Sequence, residues 1–562
     1  MLTLAVASSE NLHLTLAPLD YVLLVIYFAI VIGIGVLARR SVATSEDFFL
    51  SGRALPAWVT GLAFISANLG AIEILGMAAN GAQYGASTVH FYWIGAVPAM
   101  VFLGLFMMPF YYSSRVHSVP EYMRRRFNQS AHLVNGISFA VAQLLTAGVN
   151  LYALSIVIQA LLGWPQWLAI VVSAFFVLTY ITLGGLSGAV YNEVLQFFVI
   201  LAGLIPLVIV GLSRVGGWSG LQAKVNKPEF FSTWTGTGTG SWTNPLGDWI
   251  GIVFGLGFAL SFGYWTTNLA EVQRALAAKD LSAARRTPLI GAIPKIFIPA
   301  LTIVPGLLAL ALVPSMRQKG ADYNNAIPLL MRDLLPTGVL GLALTGLLAA
   351  FMAGMAANVS GFNTVFTYDI WRPYIVRDRS DRYYLLVGRI ITVIGIFIGI
   401  GTAFIASKFN NIMNYIQTLF SYFNAPLFAV FILGLFWRRV SAWAGVWGQL
   451  AGIAAAFAFH YIGPHIDYFH AGQKASGTTN DQMVNFYGAI SAVIVAWVVM
   501  AIVTTFTRAK PLDDIKGLVY GLPDPEGPDA TAVATKQSWW QSPAFLGYGA
   551  LAITLVLSLI YL

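Results

Sequence analysis

The chain has 562 residues, 58% of them hydrophobic and 10% charged, and its mean hydropathy is +0.74. This composition excludes an ordinary soluble protein. The net charge of +8 does not indicate a nucleic-acid partner, because the Lys and Arg residues cluster between apolar runs. The chain contains no cysteine, which excludes disulfides, thiolate metal sites and cysteine nucleophiles.

Hydropathy predicts an all-α polytopic membrane protein of about 14 transmembrane helices, each needing about 20 apolar residues. No ten-residue segments of alternating polarity indicate strands. Residues 507–541 are rich in Pro, Gly and charge, which predicts a cytoplasmic linker. The predicted spans lie near residues 20–38, 57–83, 91–112, 133–163, 166–184, 189–213, 248–273, 287–314, 337–370, 383–408, 411–437, 442–462, 485–506 and 542–561.

Basic residues follow the first, third, seventh, ninth and eleventh spans, all on one side of the membrane if the spans are counted correctly. The opposite short loop 84–90 has none. Because cytoplasmic loops carry the excess of Lys and Arg, we expect a multi-pass plasma-membrane protein with both termini outside the cell. The residues are Arg39, Arg40, Arg53, Arg115, Arg124, Arg125, Arg126, Lys279, Arg285, Arg286, Arg372, Arg377, Arg379, Arg382, Arg438 and Arg439.

The most informative apolar stretch is 56–93, which carries Asn68 and Glu73 near its middle with Gly70 between them. A carboxylate in hydrocarbon costs about 3 kcal/mol or more, so Glu73 should face the protein interior or a wet cavity. Glycines at Gly70 and Gly76 fit a helix whose backbone opens mid-membrane, as at transporter binding sites. The alternative is a helix packed closely through small residues, with both polar groups satisfied by neighbours.

Other predicted spans also contain costly polar groups. If Lys295 is buried between Pro294 and Pro299, its ammonium needs a partner such as Glu193 or Glu73. The alternative is a lysine that extends to the headgroups from the end of its span. The remaining polar groups are Tyr191, Asn192 and Glu193 in the sixth span, Ser261, Tyr264, Trp265 and Asn268 in the seventh, the run AFMAGMAANVSGFNT in the ninth, and Gln417 in the eleventh.

No constellation of residues indicates an enzyme. The histidines are few, and no metalloprotease, nucleophile-elbow or dinucleotide motif stands on a suitable element. A cavity lined by amides, aromatic rings and a few charges fits a permeation path. The residues therefore predict a transporter embedded in the lipid bilayer, with a small-molecule solute, no cofactor and no evident obligate protein partner.

Seven motifs, taken in their order and spacing, carry a resemblance to the sodium/solute symporter family, closest to its sodium/glucose and sodium/galactose cotransporter branch. The resemblance covers most of the chain, from Asp20 to about Arg439. The motifs are DFFLSGRALPAW (47–58), VPEYMRRRF (119–127), GGLSGAVYNEVLQ (184–196), VQRALAAK (272–279), FTYDIW (366–371), VGR (387–389) and FILGLFWRR (431–439).

The resemblance implies a fold and a coupling ion. The fold is the five-plus-five inverted repeat of transporters such as LeuT, and the coupling ion is sodium. In this chain it implies a leading helix at 20–38, repeat one at 57–213, repeat two at 248–437, and C-terminal helices over 442–562.

The resemblance also implies a sugar site between two broken helices, where amides and charges bind hydroxyls and aromatic faces cover the ring. Tyr264 matches both a sugar-binding and an inner-gate position. The implied binding residues are Asn68, Glu73, Ser261, Tyr264, Trp265, Lys295 and Gln417, and the implied outer-gate residues are Met77, Phe91 and Met413.

The chain departs from the branch at the sugar site. Sugar transporters of this branch have a glutamate before a tryptophan where this chain has Tyr92 before Trp93. The implied binding position is therefore Tyr92, and Glu73 on the neighbouring helix is a replacement for the missing carboxylate.

A second departure concerns sodium. The implied ligands are backbone carbonyls of Ser66, Leu69 and Ala350, together with two adjacent hydroxyls that fall on Ala353 and Gly354, which have none. Losing two oxygens should weaken a hard-cation site severely. Water, Ser360 or a second site near Glu193 are the candidate replacements.

The resulting interpretation is a sodium-coupled symporter of a small polar solute, such as a sugar or polyol, that works by alternating access. One alternative is a proton-coupled or facilitative carrier of the same fold, with Glu73 or Glu193 as the proton-carrying group. Another is a membrane solute sensor that signals through 507–541.

Overall fold

The computed structural model describes residues 14–38, 54–113, 118–318, 320–473, 480–522 and 538–560. These residues are almost entirely helical, and the only β pairing among them is three isolated bridges. The helices are α1 (Pro18–Ala38), α2 (Ala57–Asn68), α3 (Ile72–Val89), α4 (Phe91–Tyr112), α5 (Val119–Arg126), α6 (Gln129–Leu162), α7 (Gln166–Val215), α8 (Gly217–Val225), α9 (Gly251–Thr267), α10 (Leu269–Leu276), α11 (Leu281–Leu312), α12 (Ala326–Leu334), α13 (Val339–Ile375), α14 (Asp381–Ala406), α15 (Ile412–Phe436), α16 (Ala442–Ile462), α17 (Asp481–Phe506) and α18 (Pro543–Ile560).

Among the described residues, 10 helices are long and apolar enough to cross a membrane, and the bent pair α2–α3 makes an eleventh. The prediction of an all-α polytopic protein is confirmed, whereas the count of 14 spans is not. The span predicted near 189–213 matches the apolar span Val190–Val215. The structure has no helix end between it and the span predicted near 166–184, because α7 is continuous over 50 residues.

The predicted opening of the backbone near Gly70 is confirmed. Helices α2 and α3 are bent by 57° at a break between Asn68 and Ile72. The side chain of Asn150, on α6, accepts a hydrogen bond of 3.0 Å from the freed backbone N–H of Ala71. Such a polar bridge satisfies a backbone group that the membrane interior cannot.

A second break separates α9 from α10 at Asn268, whose backbone is extended with ψ 110°. Its carbonyl accepts from the first turn of α10, and its side chain accepts from Gln143 on α6 at 3.0 Å. Thus α6 supports both breaks through amide side chains.

The predicted common face of the basic loops is supported by direct contacts. Arg126 donates to the backbone carbonyls of Gly434, Trp437 and Val440. Arg124 shares a surface pocket with Arg372 and Arg377. Loops that are far apart in sequence therefore meet on one side, which we call the basic face. Arg39, Arg40, Arg53 and Arg115 lie outside the described residues.

The first part of the predicted linker packs on the basic face. The carbonyl of Leu518 accepts from the Tyr122 hydroxyl at 3.2 Å, and that of Gly521 accepts from Arg438 at 3.1 Å. Residues 523–537 lie outside the described residues. Residues 507–522 of this segment therefore pack against the basic face and do not form a free linker.

Candidate functional site

One internal cavity lies where the two breaks meet. Side chains from α2, α3, α4, α6, α9, α10, α11, α13 and α15 line it, so it is formed by residues from both halves of the chain. Its lining residues are Ala67, Asn68, Gly70, Ile72, Glu73, Met77, Phe91, Tyr92, Ala96, Thr146, Asn150, Leu260, Ser261, Tyr264, Trp265, Glu271, Lys295, Gly354, Ala357, Asn358, Met413, Gln417 and Phe420.

The structure brings together every residue that the sequence placed in the binding site or its gates, and all of them line this cavity. Their roles in binding and gating stay predictions. These residues are Asn68, Glu73, Tyr92, Ser261, Tyr264, Trp265, Lys295 and Gln417 for binding, and Met77, Phe91, Tyr264 and Met413 for the gates.

The ammonium of Lys295 contacts two of the predicted binding residues. It lies 2.7 Å from Oε1 of Glu73 and donates to the side-chain oxygen of Asn68. Lys295 is only 2% exposed, so the alternative in which it reaches the headgroups is wrong. Helices α11, α3 and α2 are thereby joined by one charged side chain inside the membrane.

The Tyr92 hydroxyl interacts with the Glu73 carboxylate of this ion pair. The hydroxyl forms a hydrogen bond of 2.7 Å with Oγ1 of Thr302, while the Tyr92 ring lies 5.0 Å from the Lys295 ammonium. The carboxylate next to Lys295 therefore comes from Glu73 on α3. Its role as the replacement for the glutamate that the chain lacks at position 92 stays a prediction.

Tyr264 connects the two breaks. Its hydroxyl accepts from Asn68 at 3.1 Å and donates to Oε1 of Glu271 at 2.7 Å. Its ring stacks on Phe420 with centroids 5.0 Å apart and meets Trp265 edge-on at 5.3 Å. The cavity thus has an aromatic wall next to its polar groups, as in sites that bind both the faces and the edges of a solute.

Gln417 presents a free acceptor to the cavity. Its amide nitrogen donates to the sulfur of Met413 at 3.4 Å. Its Oε1 is buried and accepts no hydrogen bond from the described residues. A buried acceptor left in this state favours a polar ligand, because unpaired polar atoms are costly in a low-dielectric interior.

Sequence reasoning missed Glu271 and Asn150, which also line the cavity. Glu271 lies inside the predicted span 248–273, so the rule that singled out Glu73 applies to it equally. Asn150 carried no comparable signal, since one amide in a long apolar helix is easily satisfied by the backbone.

Glu193 lies outside the cavity. It forms a pair with Arg274 of α10, with Nη2–Oε1 2.5 Å and Nε–Oε2 3.2 Å, and both side chains are at most 1% exposed. Glu193 is therefore not the partner of Lys295. Glu193 was also a candidate coupling carboxylate and a candidate part of a second sodium site. In the structure its carboxylate is paired with the Arg274 guanidinium.

The residues at the implied sodium site do not fit a set of five oxygen ligands. Ser66, Leu69 and Ala350 are buried, but Ala353 and Gly354 supply no hydroxyl. A Cβ atom on Gly354 would lie 2.6 Å from Oδ1 of Asn150 and 3.0 Å from Cα of Gly70. The backbones of α13 and the α2–α3 break thus approach closely at position 354, one of the two positions where the resemblance implies a hydroxyl. One buried atom there, Oγ of Ser66, has no hydrogen-bond partner among the described residues.

Comparison with known proteins agrees with this architecture. The model of the sodium:solute symporter family matches residues 48–452. The sodium/glucose cotransporter of Vibrio parahaemolyticus is 28% identical over 477 residues, 81% of this chain and 87% of that protein. The sodium/myo-inositol cotransporter 2 of Rattus norvegicus is 30% identical over 489 residues, 81% of this chain and 72% of that protein.

A solved structure of a sodium-coupled sialic acid symporter, in a substrate-bound outward-open state, has the same fold. It superposes with a TM-score of 0.72 at 20% identity and covers 88% of this chain and 99% of that one. The predicted LeuT-like five-plus-five fold is thereby confirmed.

Proposed function

The chain belongs to the sodium:solute symporter family, and from this premise we propose that it is a secondary active transporter of a small polyhydroxylated solute, a sugar or polyol. Family members and structural neighbours are transporters, and sodium is the coupling ion of the family. The solute binds in the cavity between the two breaks, and alternating access carries it across the bilayer.

The observation that carries this proposal is the Glu73–Lys295 pair inside the cavity. A carboxylate and an ammonium side by side can together accept from and donate to the vicinal hydroxyls of a sugar. Asn68 and the free Oε1 of Gln417 add neutral hydrogen-bonding groups. Charge-assisted hydrogen bonds are roughly twice as strong as neutral ones, which suits a solute without net charge.

The two helix breaks are the flexible points of the proposed transport cycle. Substrate sites of this kind lie near the bilayer midplane at discontinuous helices, and one helix bundle rocks against the other around them. We assign Met77, Phe91 and Met413 to the outer gate and Tyr264 to the inner gate. All four line the cavity, so each is within reach of a bound solute.

Uptake of labelled galactose by proteoliposomes tests the proposal, with an inward sodium gradient compared with a matched potassium control. Accumulation that requires sodium supports a sugar symporter whose ion is held by oxygens other than the two missing hydroxyls. Entry that is indifferent to sodium supports a sugar carrier without the family's ion site. Absence of entry under both gradients contradicts galactose as the solute.

A carrier that works without sodium is a second candidate, and a specific observation favours it. The close approach of Gly354 to Gly70 and Asn150 leaves no place for a side-chain hydroxyl at position 354, and Ala353 supplies none. Such a carrier would be driven by protons or by the solute gradient alone.

We further propose the repeat limits 57–213 and 248–437, and a plasma-membrane orientation with the basic face in the cytoplasm. Because the chain has no cysteine, single cysteines can test this orientation directly. Lys510→Cys should react with an impermeant maleimide only after permeabilisation, and Lys227→Cys should react in intact cells. The reverse pattern would invert the topology.

A further inference from the structure

The strongest unexplained feature of the cavity is the carboxyl group of Glu271. It is 1% exposed and lines the cavity one turn beyond the break at Asn268. Oε1 accepts from the Tyr264 hydroxyl at 2.7 Å, and Oε2 is buried with no hydrogen-bond partner among the described residues. A buried carboxyl oxygen without a partner is costly when the group is charged.

The charged groups around Glu271 are already matched with one another. Lys295 pairs with Glu73 at 2.7 Å, and Arg274 pairs with Glu193 at 2.5 Å. No Lys or Arg nitrogen in the described parts of the chain comes within 4.0 Å of the Glu271 carboxylate. Among the described residues of this group, two cations stand against three carboxylates, which leaves one uncompensated negative charge if all are ionised.

The other elements packed against α10 bring few further ionisable groups. Helices α2 and α13, up to Val365, contain no charged residue, and the Tyr111 hydroxyl of α4 is committed to the carbonyl of Thr266 at 2.7 Å. Tyr264 on α9 is the hydroxyl that touches Glu271. The charge of Glu271 is therefore left to a mobile cation or to a proton.

We propose that Glu271 carries the coupling proton of this transporter. The proton binds Oε2 from the water on the side where the solute is taken up, forming the neutral acid, and leaves to water on the opposite side. Tyr264 continues to donate to Oε1 in both forms. This inference rests on the proposed transport function and deepens it by naming the ion and its residue.

A chain of side chains connects this carboxyl to the solute-binding groups. Glu271 bonds to Tyr264, Tyr264 to Asn68, and Asn68 to Lys295, which pairs with Glu73. A solute hydroxyl that takes a place at Asn68 or Lys295 therefore moves the donors that reach Tyr264. Proton binding and solute binding are linked through these shared contacts, and the linkage acts equally in both directions.

A proton fits this position better than sodium does. A hard cation must replace its hydration shell with several oxygens. Around Glu271 the described contacts offer only its own carboxylate and the Tyr264 hydroxyl. A proton needs one lone pair, which Oε2 provides.

The first test does not depend on the identity of the solute. The full chain in lipid nanodiscs is titrated from about pH 5 to about pH 9, a range that brackets buried carboxyl groups, in potassium buffer without sodium. Infrared difference spectra follow the carboxylic C=O stretch. We expect a titrating band that is missing in Glu271→Gln, whose amide still accepts from Tyr264. Asp513→Asn, which changes an exposed carboxylate, should retain the band; the same band in Glu271→Gln would overturn the proposal.

The second test uses galactose as the probe in sodium-free proteoliposomes. An inward gradient of about one pH unit should raise accumulation up to about tenfold for one proton per solute, because one unit is a tenfold concentration ratio. Glu271→Gln should lose this drive and keep galactose counterflow. Wild-type accumulation that does not respond to the pH gradient would overturn the proton role. A wild type without any counterflow counts against the proposed solute, and the infrared titration then decides the role of Glu271.

Discussion

Two buried ion pairs, each formed by a glutamate and a basic residue, connect helices near the cavity. They differ in their geometry and in whether they line the cavity. Glu193 and Arg274, here the scaffold pair, make two contacts of 2.5 Å and 3.2 Å outside the cavity. Glu73 and Lys295, here the cavity pair, meet at 2.7 Å inside it. The Lys295 ammonium also donates to Asn68.

This difference distinguishes a pair that stabilises the fold from a pair that we propose binds the solute. A guanidinium and a carboxylate fit each other in a planar fork, so the scaffold pair joins α7 to α10 with geometry that a solute cannot replace. An ammonium is a point charge with three donors on a flexible stem. The cavity pair can therefore open toward a solute hydroxyl without leaving either charge unsolvated.

The largest expected effect comes from breaking the scaffold pair. Arg274→Ala should lower the free energy of unfolding by about 3–5 kcal/mol, because Glu193 becomes a buried unpaired charge. Thermal stability of the detergent-solubilised full chain, followed by size-exclusion chromatography with fluorescence detection, measures this. Arg332→Ala, which removes a half-exposed pair with Asp333, is the control and should cost less than about 1 kcal/mol. Wild-type stability in Arg274→Ala would erase the distinction between the pairs.

Removing both partners sharpens the comparison. Glu193→Gln with Arg274→Met should recover most of the loss of about 3–5 kcal/mol, since replacing a buried pair together is often neutral. Glu73→Gln with Lys295→Met should remain as stable as the wild type and transport no galactose. The same melting experiment and uptake assay report both results. If the cavity double variant transports normally, its charges have no part in binding.

Breaking the cavity pair alone should affect transport more than folding. Lys295→Ala should reduce galactose uptake by about 12- to 140-fold, which corresponds to about 1.5–3 kcal/mol for a hydrogen bond to a charged group. Its melting temperature should fall less than that of Arg274→Ala, because Glu73 borders the cavity with its side chain 11% exposed. Initial rates in proteoliposomes measure the effect, and unchanged kinetics would remove Lys295 from the site.

The smallest expected effect belongs to a neutral contact in the same cavity. Gln417→Ala should raise the KM for galactose by about 2- to 12-fold, the range for a neutral hydrogen bond of about 0.5–1.5 kcal/mol. Thr418→Ala is a matched control, because its hydroxyl bonds to the Asn414 carbonyl and to Asn485 rather than to the cavity. An equal change of KM in both variants would indicate a general disturbance of α15.

Much of the site was predictable from the sequence because it consists of polar residues in apolar segments, where burying them costs free energy. Asn68, Glu73 and Lys295 are polar groups in apolar stretches, and the cost of placing them in hydrocarbon depends only on local composition. The same holds for the break near Gly70, where small residues coincide with polar ones. The motifs then related these positions to one another through the family.

Pairing was not predictable in the same way. Lys295 had two candidate partners. Packing of α11 against α3 brings it to Glu73, while Arg274 on α10 pairs with Glu193. Each choice depends on contacts between residues far apart in the chain. The same holds for α7, where hydropathy indicated two spans and the structure has one helix.

The sequence was sufficient for membrane embedding and for the break near Gly70, since both follow from residue type and position. The resemblance to the family implied the two sodium-site positions that lack hydroxyls here. Only the tertiary structure decided that Gly354 touches Gly70 and Asn150, and that Glu271 enters the cavity with one free oxygen. Composition sets the cost of a buried polar group. The packed helices determine which neighbour offsets that cost, because hydrogen bonds and ion pairs act only over a few ångströms.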